Sequence, residues 1–180
     1  MATKKKAAKK KSVPKKKVAK KTPFKNHETR LKAGDKAPAF KGIDQDGKPV
    51  SSAGFKGKKW VVYFYPQDDT PTCTKQACNI RDNFKLLEKN GIDIIGVSED
   101  NVEKHKKFET KYKLPFRLIA DETHEVINAF DVWGKKQFMG KIYDGLIRTT
   151  FLIDEKGIII RVINRPDTGN HVQEILDSWS

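Results

Sequence analysis

Both cysteines of the chain, Cys73 and Cys78, lie within residues 66–78, which read Pro-Gln-Asp-Asp-Thr-Pro-Thr-Cys-Thr-Lys-Gln-Ala-Cys. The stretch follows an apolar run and leads into a segment of helical spacing, so it spans a strand-to-helix turn. With Thr70 as N-cap and Pro71 at the first helical position, Cys73 falls third in the helix. The free N–H groups and partial positive charge of that turn favour an anion, and the thiolate is the reactive form of cysteine. Cys73 is therefore the candidate nucleophile, with the Thr70 hydroxyl placed to reach its sulfur or a bound substrate. Cys78 follows five residues later. An intact helix would hold the two Cα atoms about 8–9 Å apart, too far for a disulfide. Should the two pair, the first turns of the helix must unwind, and Cys78 would capture a sulfenic acid on Cys73 before it reached irreversible oxidation.

Other chemistries fit these residues less well. On residue type alone, two small buried hydrophobes account for the cysteines equally. Two cysteines on one helix and four scattered histidines, His27, His105, His124 and His171, lack the spacing of a tetrahedral zinc site, and the histidines read as surface residues. Asp68 and Asp69, adjacent in a turn, read as solvated carboxylates without a chemical role. The Cys-x-x-Cys of a protein thiol–disulfide oxidoreductase is absent.

The elements that must position Cys73 can be read from periodicity. Residues 60–66, WVVYFYP, form a continuous apolar run ended by Pro66, as expected of a strand buried on both faces. Ala77, Ile80, Phe84 and Leu87 recur at helical spacing, which predicts one helix from Pro71 to the Asn90-Gly91 stop. A strand at 92–98, a charged helix at 101–113, a strand at 116–121 and a short helix at 123–130 follow. Residues 146–154 and 158–163 are strands joined by Glu155-Lys156-Gly157 as a hairpin, and 168–179 close the chain as a helix. Short strands punctuated by Asp46-Gly47 and Lys56-Gly57 open the domain. The expected fold is a thioredoxin-like α/β sandwich, a mixed central sheet flanked by helices, which by itself settles no function.

Charge divides the 180 residues unevenly. Residues 1–33 carry fourteen Lys or Arg and one acid, Glu28, whereas residues 34–180 are near neutral, with 23 bases against 22 acids. The first part reads as a disordered basic arm and the second, 34–180, as the folded domain. Lys4–Lys21, in clusters separated by Ala, Val and Pro, offers no apolar face to bury. Such an arm would bind nucleic acid through phosphate neutralisation, without reading sequence; a solubilising tail or import signal is the competing role. No run approaches the roughly eighteen apolar residues of a membrane span, and no secretory signal is evident. The expectation is a soluble intracellular protein without membrane association, cytoplasmic and near the nucleoid, or nuclear in a eukaryote.

Pro66-x-x-x-Thr70-x-x-Cys73 resembles the active-site signature of peroxiredoxins, and Cys78 stands where the Q-type subfamily, the bacterioferritin comigratory proteins, has its resolving cysteine. Gly34 to Phe40 (GDKAPAF), Trp133-Gly134-Lys135, Tyr143-Asp144-Gly145 and IRTTFLID from Ile147 are similar to that subfamily as well. The resemblance implies a peroxidatic Cys73, a resolving Cys78, a Thr70 that hydrogen-bonds the peroxide, a Pro66 that shields the pocket and an Arg148 that polarises thiolate and peroxide. It further implies hydrogen peroxide or an alkyl hydroperoxide as substrate, a thioredoxin-like reductant, no metal, haem or flavin cofactor, and a monomer. Two features depart from the subfamily: Thr72 replaces a common Gly, and the Lys-rich arm is extra.

Overall fold

The computed structural model describes residues 23–179. The Lys4–Lys21 arm, read above as disordered, lies outside the described residues. In chain order the elements are β1 (Lys41–Asp44), β2 (Pro49–Ser51), β3 (Lys59–Phe64), α1 (Pro71–Asp82), α2 (Phe84–Lys89), β4 (Ile92–Ser98), α3 (Val102–Tyr112), β5 (Arg117–Ala120), α4 (Glu125–Ala129), β6 (Trp133–Phe138), β7 (Lys141–Leu146), β8 (Thr149–Ile153), β9 (Ile159–Ile163) and α5 (His171–Asp177). Seven strands form one mixed sheet in the order β2-β1-β5-β4-β3-β8-β9, while β6 and β7 pair apart from it. The β3–β4 and β4–β5 pairs are parallel, and β8 lies antiparallel to β3.

The apolar run through β3 has a direct structural cause. Trp60, Val62 and Phe64 enter one core layer with α4, while Val61, Tyr63 and Tyr65 enter the other, beneath α1, α2, α3 and α5. A strand covered on both faces has no position left for a solvated side chain. Each fully buried side chain of this kind contributes about 1.5–3 kcal/mol over leaving it exposed, so the strand is a rigid base for the turn that follows it.

Two expectations need correction. The single helix expected to Asn90 is broken at Asn83, whose backbone leaves the helical region (φ −111°, ψ 12°). Its side chain takes the Asn79 carbonyl at 2.9 Å, a local hydrogen bond that competes with the helical ladder. The boundary expected between residues 33 and 34 also stands too late, because the chain joins the fold from Asn26 onward. The His27 amide donates to the Lys135 carbonyl at 2.8 Å, and Thr29 Oγ1 donates to the Phe130 carbonyl at 2.7 Å. Arg30 binds the Asp131 carboxylate through both its backbone N (2.7 Å) and Nε (3.1 Å). Gly134 allows this approach, since a Cβ there would stand 2.5 Å from the His27 ring.

Candidate active site

The chain leaves β3, turns through residues 65–70 and enters α1, where Cys73 is third and buried. Thr70 is the N-cap residue, with an extended backbone, but its side chain does not cap the helix. Instead Thr70 Oγ1 donates to the Gln67 carbonyl at 3.0 Å, so the first-turn N–H groups keep their charge unmet by a cap. Both cysteines are free thiols, Cys73 buried and Cys78 half-buried, in one intact helix. No disulfide spans them in this reduced form.

Arg148, expected within a strand, falls in the short link between β7 and β8. From there its Nη2 approaches the Cys73 sulfur to 3.2 Å, while Nη1 donates to Gln76 Oε1. Pro66, Thr72 and Arg148 share the wall of a cavity of about 440 Å³ with Lys136, Phe138 and Arg165. A hollow of about 550 Å³ beside Phe40 and Val126 is lined by neither Arg148 nor Pro66. Thus Cys73 and Arg148, 75 residues apart in the chain, meet just behind the wall of a pocket that Arg148 lines together with Pro66.

Further groups at the site had no sequence signal or a faint one. Lys136 lines the cavity and donates to the Leu146 carbonyl at 2.8 Å. Burial pushes its pKa below that of a free lysine and the Arg148 charge adds to this, so the pocket concentrates positive charge around the sulfur. A Cβ on Gly145 would meet Lys136 Cε at 2.8 Å, which accounts for the small residue there. Gln76 stands one helical turn after Cys73 on the same face, a spacing that could have marked it. His171 lies behind Gln76, and nothing in its sequence neighbourhood points to that position.

Two of the histidines, and Asp68, differ from their surface reading. His105 and His171 are fully buried, and Asp68 is nearly so. Asp68 Oδ2 lies 2.6 Å from His105 Nδ1, and Tyr65 OH donates to Asp68 Oδ1 at 2.6 Å. His105 Nε2 faces the Ile119 carbonyl at 3.1 Å. Both ring nitrogens therefore face oxygen atoms and are held between β5 and the turn after β3. The Asp68 amide donates to Asp100, which Ser98 and Lys104 also bind. Desolvation opposes the Asp100 carboxylate, yet these three donors prevail and hold its pKa below the usual range. Asp69 is exposed as expected, in a left-handed conformation (φ 58°), gripped by Lys111 and the Tyr112 hydroxyl. Helix α3 thereby fastens the turn between Pro66 and Thr70 at two successive residues.

Comparison with known proteins places the chain in one family. The profile of the AhpC/TSA family matches residues 33–162, well over half of the chain. The chain belongs to the AhpC/TSA family of peroxiredoxins. It is 49% identical over 147 residues to peroxiredoxin Bcp of Escherichia coli, covering 82% of this chain and 94% of that protein. Among solved structures, peroxidoxin BcpB of Mycobacterium tuberculosis is 31% identical with a TM-score of 0.73, covering 83% of this chain and 96% of that one. The bacterioferritin comigratory protein of Xanthomonas campestris is 27% identical with a TM-score of 0.74, over 84% and 96% of the two chains. The resemblance to the Q-type peroxiredoxins therefore stands, as does the expected mixed sheet flanked by helices, here of seven strands. The protein is a peroxidase, an antioxidant oxidoreductase of the thiol type. Among the described residues, no helix is long and apolar enough to cross a membrane.

Proposed function

We propose that Cys73 reduces hydrogen peroxide or an alkyl hydroperoxide and that Cys78 resolves the product as an intramolecular disulfide. The observation that carries this reading is the Arg148 guanidinium 3.2 Å from the Cys73 sulfur at the start of α1, beside an open cavity. The thiolate attacks the distal peroxide oxygen and the O–O bond breaks. Cys73 becomes a sulfenic acid, and the departing alkoxide or hydroxide takes a proton to leave as alcohol or water. Arg148 and the first-turn N–H groups stabilise negative charge on sulfur and then on the departing oxygen. Thr70, one turn before Cys73, turns its hydroxyl from Gln67 to the bound peroxide, and Pro66 shields the pocket from water.

Resolution then requires α1 to open. The Cys78 sulfur attacks the Cys73 sulfenic acid, an S–S bond forms, and water leaves. A thioredoxin-like dithiol protein restores both thiols by exchange and becomes oxidised itself. The reported alkyl peroxide reduction activity of the Xanthomonas relative favours inclusion of organic hydroperoxides. The catalytic unit is a monomer, and the Lys4–Lys21 arm tethers it to nucleic acid within the cell.

The test is peroxide consumption coupled to thioredoxin and its reductase. Cys73→Ser is expected to lose turnover, and Cys78→Ser to stall after one oxidation unless an added thiol resolves it. Unaltered turnover in Cys73→Ser would refute the assignment.

A further inference from the structure

The polar chain behind Arg148 can be read in one direction only. A guanidinium donates and never accepts, so the oxygen of the Gln76 amide must face Arg148 Nη1. This turns Gln76 Nε2 toward His171 Nδ1, 3.3 Å away. An amide nitrogen only donates, so Nδ1 is the acceptor and the ring hydrogen resides on Nε2. His171 Nε2 in turn donates to Thr150 Oγ1 at 3.0 Å. Gln76, Thr150 and His171 are all fully buried, so water cannot stand in for a lost partner.

We propose that His171 is a positioning residue for the peroxidase reaction: its neutral ring orients the Gln76 amide so that Arg148 stays on the Cys73 sulfur. The inference rests on Cys73 being the reacting thiol. A protonated ring would present N–H to Gln76, forcing the amide to reverse and to set its NH₂ group against the guanidinium. The surroundings prevent this. Burial, and then the Arg148 charge, push the His171 pKa down to about 3, against a smaller opposing effect of Asp167. The Tyr63 ring packs edge-on against His171 at 5.9 Å. Asn79 holds α5 to α1 from both sides, accepting from the Val172 amide at 3.0 Å and donating to the Gly169 carbonyl at 2.9 Å. Gln76 lies between the two cysteines, so unwinding that joined Cys73 to Cys78 would pull it out of the relay and release Arg148.

Two measurements test the relay. Nitrogen-15 NMR of the unmodified reduced protein is expected to show His171 bare at Nδ1 and protonated at Nε2 at neutral pH; a hydrogen on Nδ1 would overturn the proposal. In a Cys78→Ser background, alkylation of Cys73 by iodoacetamide and its oxidation by one equivalent of hydrogen peroxide are followed against pH. His171→Leu is expected to move the alkylation profile up by about one pH unit and to slow oxidation about tenfold at neutral pH, the scale of one hydrogen bond to a charged group. His171→Asn, whose side-chain oxygen can replace the Nδ1 acceptor, should recover most of both. A His171→Leu protein that folds and matches its parent in both readouts also overturns the relay. A parent protein inert to peroxide would instead defeat the peroxidatic assignment, and the alkylation and tautomer results stay interpretable without it.

Discussion

At the scale of single residues, the site is a thiol ringed by positive charge and supported by buried polar groups, and its stability depends on which of these hold protons. The unfolded chain binds a proton at His171 near 6.5, whereas the folded ring resists it down to about 3. Stability is therefore expected to fall as pH drops from about 6.5 toward 3, because the unfolded state binds the extra proton. Asp100 and Asp131, held below the usual carboxylate range, lose their contribution at lower pH still, below about 4. Urea midpoints measured through that window should fall less steeply in His171→Asn than in the parent, and an equal slope would remove His171 as the cause. Cys73 and Thr70 could be singled out from sequence because cap residue, Pro71 and thiol share one short segment at the start of α1. Arg148 was marked only by the family resemblance and by no local pattern, since it meets the sulfur only through the pairing of β8 with β3. His105 and His171 were misread as surface residues because burial of an isolated polar residue leaves no periodic trace.

At the scale of elements, the strands with continuous apolar runs were legible and the β6–β7 hairpin was not. Its sequence mixes Lys, Gly and aromatic residues, and all of its positions but Gly145 and Leu146 are exposed or half-buried, so no apolar alternation marks it. Its turn was hidden too. Met139 (φ 48°) and Gly140 (φ 77°) are both left-handed, as a tight hairpin turn of this hand requires, but Met replaces the usual Asn or Asp. Met139 is 86% exposed, so its side chain contributes little packing. Met139→Asn is therefore expected to raise stability by about 0.5–1 kcal/mol through relief at that backbone position, read as a higher urea midpoint with peroxide turnover unchanged. A lower midpoint would mean that Met139 packs on something in solution. The break at Asn83 went unread for a related reason, because Phe84 and Leu87 continue the apolar spacing of α1 across it.

At the scale of the molecule, a basic arm and a near-neutral enzyme meet at Asn26, where the chain settles along β6. Removing residues 1–22 is expected to leave melting temperature and turnover as they are while abolishing salt-sensitive DNA binding; retained affinity would refute the tether. Removing residues 1–33 should lower the melting temperature, because it strips Asp131, itself in a left-handed conformation (φ 54°), of its Arg30 and His27 partners. The proposed mechanism turns on a helix that must be intact to activate Cys73 and open to let Cys78 reach it. That coupling can be measured on the unmodified reduced protein by adding one equivalent of hydrogen peroxide, then mapping disulfides by mass spectrometry and recording far-ultraviolet circular dichroism. A Cys73–Cys78 disulfide formed together with a loss of helical signal is the expected result. Oxidised Cys73 beside a free Cys78, with the helical signal unchanged, would contradict it.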